Sequence, residues 1–347
     1  MISHALANLE QHAAAALARL FLFAVNAFVY ATHPRLIALF RRRVGRFPNV
    51  AEPLSVNEKV TWRKLFDRNP LFPVLQDKLA ARDLVAARCP DLALPEILWQ
   101  GHDPFAIPFD RIREPVVIKT NHGCGFNQFI HDPGAIDRLA ISVFFAQVLS
   151  QKWSGIRVGE WAYGAIEPAV YVEKLLLKED GSLADDCKIN VFCGKAHVYA
   201  LTCGRFRELN TAYFDARNRR IEASLDGHDV THAPVPGPLH ERAVAYAEVL
   251  CPELDAIRVD CYIHQGRVWF GEFTVYPSSG LSNYTPSSFN IERARPWNIL
   301  KSHYFDQPGR FRRLYRWCLE TGARRREAAA TGVSLPAAAD ARRIGGA

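Results

Sequence analysis

At 347 residues, 49% hydrophobic and 23% charged, the chain has the composition of an ordinary globular protein, long enough for two or three compact subdomains. Its formal charge of +7 sits at the ends: residues 1–46 carry six arginines against Glu10, and residues 310–347 carry nine against Glu320, Glu327 and Asp340, so the middle is net negative. That distribution excludes a nucleic-acid groove in the body, and eight cysteines without a C-x-x-C pair exclude a regular disulfide framework or a thiolate metal site.

The chain opens with a segment in which Leu20 to Ala31, LFLFAVNAFVYA, is apolar apart from Asn26 and is followed by RRRVGR. The run is shorter than the ~20 residues of a spanning helix, and its charge follows rather than precedes it, unlike a signal peptide. It reads as a helix lying on a membrane surface or on the protein itself. Past the Pro48–Pro53 break, VNEKVTWRKLFDRNPLF and VLQDKLAARDLVAARC read as two helices with Asn57 and Asp77 near their starts. PVVIKTNHGCGFNQFIHDP reads as strand, glycine turn and strand. Lys119 closes the first strand, and Gly123 and Gly125 let the backbone approach an anion. Taken alone the turn is equally a plain hairpin, and it is not a P-loop.

A helix is expected over 135–152, a buried strand at AVYVEKLLL, two strands around Cys193-Gly194, and a helix at HERAVAYAEVLC. Then comes RVDCYIHQGRVWFGEFTVYPSSG, a hairpin turning at His264-Gln265-Gly266. Residues two apart share a face, so Arg258, Asp260 and Tyr262 line one strand while Glu272 and Thr274 line the other. Two acids there are either an ion network with Arg258 or an oxygen-ligand site for magnesium, which takes one or two carboxylates plus phosphates. The last residues, Ala/Arg-rich and aperiodic, read as a disordered tail.

The order of a lysine before a helix, a strand lysine with a glycine loop, V-E-K-L-L, and then R-x-D with E-x-T on paired strands resembles the ATP-grasp superfamily. NEKVTWRKLFDRNPLF, DDCKINVFCGK and FGEFTVYPSSG make it more closely similar to the TupA-like ATP-grasp group of bacterial surface-polysaccharide clusters. The resemblance implies an α+β fold in which two subdomains with antiparallel or mixed sheets hold ATP between them, preceded by N-terminal helices. The expected divisions are an apolar and basic helical segment at 1–46, a helical part at 47–112, subdomains at 113–172 and 173–290, a basic helical segment at 291–327, and the tail at 328–347.

It further implies that Lys78 and Lys119 hold the α- and β-phosphates and that Gly123 to Gly125 close over the triphosphate. Glu173 and Leu175 form the linker that meets the adenine edge, Asp186 binds ribose, and Lys188 reaches a phosphate. Asp260 and Glu272 carry Mg2+, and Arg258 neutralises charge at the reacting centre. Thr274 stands where many ATP-grasp enzymes have asparagine, and His122 stays outside the catalytic set. The implied activity is ATP-dependent carboxylate–amine ligation through an acyl phosphate, on a small-molecule or lipid-linked glycan substrate. The alternatives are a sugar kinase and a non-catalytic nucleotide-binding scaffold. A cytoplasmic location is expected, with peripheral membrane contact through the basic ends and no nucleic-acid partner.

Overall fold

The computed structural model describes residues 2–151, 154–204, 210–226 and 235–331. Five helices come first: α1 (Ile2–Thr32), α2 (Pro34–Val44), α3 (Val56–Phe66), α4 (Leu71–Gln76) and α5 (Ala80–Arg88). Next are β1 (Ile97–Gly101), β2 (Val116–Thr120), β3 (Gln128–Ile130), α6 (Arg138–Ser150) and β4 (Val170–Lys174). A second set follows: β5 (Asp185–Phe192), β6 (Lys195–Cys203), β7 (Asn210–Asp215), β8 (Arg220–Ile221), β9 (Ser224–Leu225), α7 (Pro238–Leu250), β10 (Ala256–His264) and β11 (Arg267–Thr274). The chain ends with β12 (Tyr284–Thr285), α8 (Phe289–Glu292), α9 (His303–Asp306) and α10 (Arg310–Thr331). Of the expected tail, residues 328–331 continue α10 and 332–347 lie outside the described residues.

Two sheets carry the body. One has the order β1-β4-β2-β3, the other β11-β10-β5-β6-β7-β8, and every pairing between their strands is antiparallel. The smaller sheet packs Val116, Ile118, Val170 and Val172 against Ile141 and Phe145 of α6. The larger sheet buries Cys187, Ile189, Val259 and Cys261 in the main core with Ala243, Ala247 and Leu250 of α7. Those residues alternate along their strands, which leaves the other face of the larger sheet for polar side chains. The α+β architecture read from the sequence therefore holds.

Two expectations about helices need correction. The segment 56–88 forms three helices rather than two, because its Asx residues stop and restart the chain. The Asn69 side chain accepts from the Leu71 N–H at 2.9 Å, and Asp77 accepts from those of Leu79 and Ala80 at 2.9 and 3.3 Å. The apolar part of α1 is also longer than Leu20–Ala31: Glu10–Thr32 is long and apolar enough to cross a membrane, since the alanines before Leu17 extend the run.

α3 is unusual in burying its charges. Ser55 caps it in a capping box with Glu58, and Lys59, Arg63 and Lys64 then reach into the C-terminal part of the chain. Lys59 donates to the carbonyls of Ala294 and Trp297 at 2.7 and 2.5 Å. Arg63 pairs with Asp255 at 2.6 Å and donates to the Val275 carbonyl at 3.1 Å. Lys64 donates to the Ser279 carbonyl and hydroxyl at 2.8 and 2.5 Å. Burial pulls both lysines down to about 8. These bonds hold the segment that follows β11 in place.

Beside them, burial and the charge of Asp255 push Asp67 up to about 7 against the pull of Arg63. A carboxyl raised above its unfolded value of about 3.9 contributes stability that is present at low pH and lost as pH rises through the folded value. The amide in an Asp67→Asn variant does not titrate. The urea midpoint of that variant relative to the unsubstituted chain should therefore rise between pH 5 and pH 8, and a constant difference would contradict this account.

Candidate active site

The β10–β11 hairpin turns through Gln265 and Gly266, both at positive φ (46° and 70°), the two-residue turn whose twist matches its strands. Its register sets Asp260 opposite Glu272, and on the other side Asp260 stands opposite Lys188 of β5. One row across the sheet is thus Glu272, Asp260 and Lys188. The neighbouring row is Thr274, Arg258 and Asn190, and on the other side Tyr262 stands opposite Asp186. Seven of the residues named from the sequence therefore share one sheet face.

Arg258 grips Asp260 through two hydrogen bonds, Nε to Oδ1 and a terminal nitrogen to Oδ2, both 2.6 Å. Lys188 Nζ lies 3.2 Å from Asp186 Oδ2, yet it is buried and makes no hydrogen bond of good geometry among the described residues. Thr274 stands across from Arg258, in the row next to the acid pair. Among the described residues no group of three or more His, Cys, Asp or Glu is arranged to hold a metal.

The other wall comes from the smaller sheet and the start of α5. Lys78 Nζ donates to the Gly123 carbonyl at 2.7 Å and lies 3.5 Å from Glu272 Oε2. Gly123 and Gly125 have φ of 69° and 84°, left-handed values that a side chain would strain. Lys119 on β2 pairs with Glu173 on β4, and Arg82, one helical turn after Lys78, approaches the same carboxylate at 3.5 Å. Burial pushes Glu272 up, but Lys78, then Arg258, Lys119 and Lys188, outweigh it and hold the carboxylate below its usual range. Four cations converge on one acid.

Between the two walls is an open cleft lined by Val117, Phe129, Leu175, Leu176, Leu183 and Tyr262, with Lys119 and Glu173 at its polar end. The Leu175 N–H donates to the Pro115 carbonyl at 3.0 Å, so it is not available to a ligand. Proline has no N–H to return, which leaves the Leu175 carbonyl as what this residue can offer. Arg82 and Tyr262 were given no role from the sequence. The i, i+4 spacing of Lys78 and Arg82 was the signal for the first, and the shared strand face with Asp260 for the second. His122 is buried with Nδ1 3.3 Å from Asn121 Oδ1, and burial pulls it down, as befits a residue that shapes the loop.

The donor set suits a polyphosphate carrying a divalent cation. Two carboxylates are too few to cage a bare metal but match magnesium that keeps phosphate and water ligands. The buried Lys188 ammonium, lacking a hydrogen bond, and the excess of cations suit the phosphates themselves.

A family model described as TupA-like ATPgrasp matches residues 58–293. No curated protein matches the chain. Among solved structures, the ATP-grasp ligase PsnB complexed with minimal precursor is 15% identical with a TM-score of 0.34, covering 59% of this chain, which spans 53% of that one. D-alanine–D-alanine ligase from Bacillus anthracis complexed with ATP is 16% identical with a TM-score of 0.37, covering 73% of this chain and 66% of its own. A further PsnB structure is described as holding Mg and ADP.

Proposed function

Because the chain belongs to the TupA-like ATP-grasp family, we propose that it is an ATP-dependent carboxylate–amine ligase. The observation that carries this reading is the pair Asp260 and Glu272 facing Lys78, Lys119, Lys188 and Arg258, with Lys119 also lining an apolar cleft. In the reaction a substrate carboxylate oxygen attacks the γ-phosphorus of ATP, the bond to the β-phosphate oxygen breaks, and ADP leaves. An amine then attacks the acyl phosphate carbon, inorganic phosphate departs, and the amine loses a proton to give the amide.

The cleft between Val117, Leu183 and Tyr262 would take the adenine ring, with the Leu175 carbonyl and Glu173 as its polar partners. Lys78 and Lys119 take the α- and β-phosphates, with the Gly123–Gly125 loop held over them by Lys78. Asp186 meets ribose hydroxyls and Lys188 a phosphate. Asp260 and Glu272 hold magnesium, which when bound neutralises phosphate charge and polarises the transferred group. Arg258, next to Asp260, offers its guanidinium to the oxyanion that develops on the acyl carbon. Beyond Lys188 the same row crosses Ala200 to Tyr213, which packs on Tyr284, and Arg293 donates to the Tyr284 hydroxyl at 2.9 Å while its buried Nε has no hydrogen-bond partner among the described residues. This aromatic and cationic end is where we place an anionic, hydroxyl-bearing substrate such as a uronic acid of a surface glycan.

Hydroxylamine tests the chemistry. With ATP, magnesium and a panel of uronic and amino acids, the acyl phosphate should be trapped as a hydroxamate in step with ADP release, and Asp260→Asn should abolish both. Phosphorylated sugar without hydroxamate would make the protein a kinase instead.

A further inference from the structure

α1 turns two different faces outward and inward. Its stripe Ala15, Ala18, Leu22, Val25 and Val29 is buried, and Phe21 meets Phe311 of α10 with ring centroids 5.4 Å apart. Asn26, the one polar residue of the apolar run, is spent on the body. Its Oδ1 accepts from the backbone N–H groups of Val50 and Ala51 at 2.9 Å each, and its Nδ2 donates to Asn49 Oδ1 at 2.7 Å. The opposite face has no such partners. Leu17, Leu20, Phe23 and Phe28 are 57, 65, 70 and 66% exposed, with exposed alanines between them. From Ala13 to Ala31 this apolar ridge runs about 27 Å at helical rise. Water-facing helices do not hold such a continuous stripe without a use for it.

We propose that this ridge docks the protein side-on to an anionic phospholipid bilayer. The charge around it selects that occupant. Beyond the C-terminal end of α1, Arg35, Arg41, Arg42, Arg43 and Arg46 are all exposed. On α10, exposed Phe311 and Leu314 alternate with exposed Arg310 and Arg313. A groove between Tyr30, Ile37 and Phe47 is rimmed by Arg41 and Arg42, placed to take a lipid phosphate. A second copy of the chain packed ridge to ridge would bring two sets of arginines together without countercharge, whereas anionic headgroups supply it. Spanning the bilayer is excluded for the chain as folded here, because Asn26 and the buried stripe hold α1 to the body.

The test is flotation of the full-length protein with vesicles of phosphatidylglycerol and phosphatidylcholine, against vesicles of phosphatidylcholine alone, with sedimentation velocity alongside. The protein should float with the anionic vesicles only and be released by high salt. Phe23→Asp, an exposed position whose melting curve should not change, and the pair Arg41→Glu and Arg42→Glu should each lower partitioning by roughly tenfold or more. ATP-dependent hydroxamate formation should persist in both variants. Protein that stays with the supernatant, equal binding to neutral vesicles, or a dimer that Phe23→Asp dissociates without any vesicle binding would each overturn the proposal.

Discussion

Glu272→Ala should lower the turnover of ATP by roughly 10²–10³, corresponding to a loss of about 3–4 kcal/mol of charge stabilisation at the phosphates. The carboxylate lies where Lys78, Arg258, Lys119 and Lys188 all act on it, directly across the strand pair from Asp260. Removing it leaves the four cations in place. Nucleotide binding without magnesium should therefore be unchanged or tighter, because a polyanion no longer competes with Glu272 for Lys78, 3.5 Å away. The expected pattern is a fall in kcat with ATP affinity in EDTA retained, measured by turnover and by nucleotide titration. Unchanged turnover would remove metal-dependent chemistry from this face and favour the scaffold reading. Loss of both binding and turnover with a lowered melting temperature would instead make Glu272 a structural ion-pair partner.

The hairpin that carries Glu272 was legible because it obeys period two and ends at a turn with its own residue signature. Asp260 and Glu272 follow from that pattern alone, since both alternate with apolar neighbours on paired strands. Their meeting with Lys188 does not. It depends on the register of β5 against β10, which joins segments some seventy residues apart and is written in no local pattern. Which backbone group Leu175 can offer was hidden for a related reason: its N–H is taken by Pro115 through the β2–β4 register, a partner that only the assembled sheet reveals. Asn26 looked like a blemish in an apolar run, and its purpose became visible only with the backbone of Val50 and Ala51 beside it. Least legible of all was the burial of α3, whose Lys59, Arg63 and Lys64 are 8, 1 and 0% exposed. Sequence periodicity marks charge as outward by default. It cannot anticipate acceptors that lie so far along the chain.

Arg63→Met should cost about 3–5 kcal/mol of stability, the range for breaking a buried ion pair from one side. Asp255 is the reason: its Oδ1 accepts from Arg63 at 2.6 Å and its Oδ2 from Trp297 Nε1 at 2.5 Å, and it is buried near Asp67. Without the guanidinium, two buried carboxyl groups share a site with only Lys59 acting on Asp255 and Arg68 on Asp67, and the stacking of Arg63 on Phe72 and Trp297 is lost as well. Methionine keeps the length of the stem, so the change reports charge more than volume. A second substitution separates the causes. In Arg63→Met with Asp255→Asn, the amide oxygen still accepts from Trp297 while the orphaned charge is gone, so more than half of the lost stability should return in urea unfolding. If the single variant costs under ~1 kcal/mol, the pair is less buried in solution than in this fold. If the double variant is no better than the single, packing and not charge holds α3. The consequence reaches the candidate site through the chain itself. Arg63 donates to Val275, the residue after Thr274, and Lys64 holds Ser279 four residues later. Loosening α3 therefore frees the segment that leaves Glu272, and activity in Arg63→Met should fall with temperature before the protein unfolds.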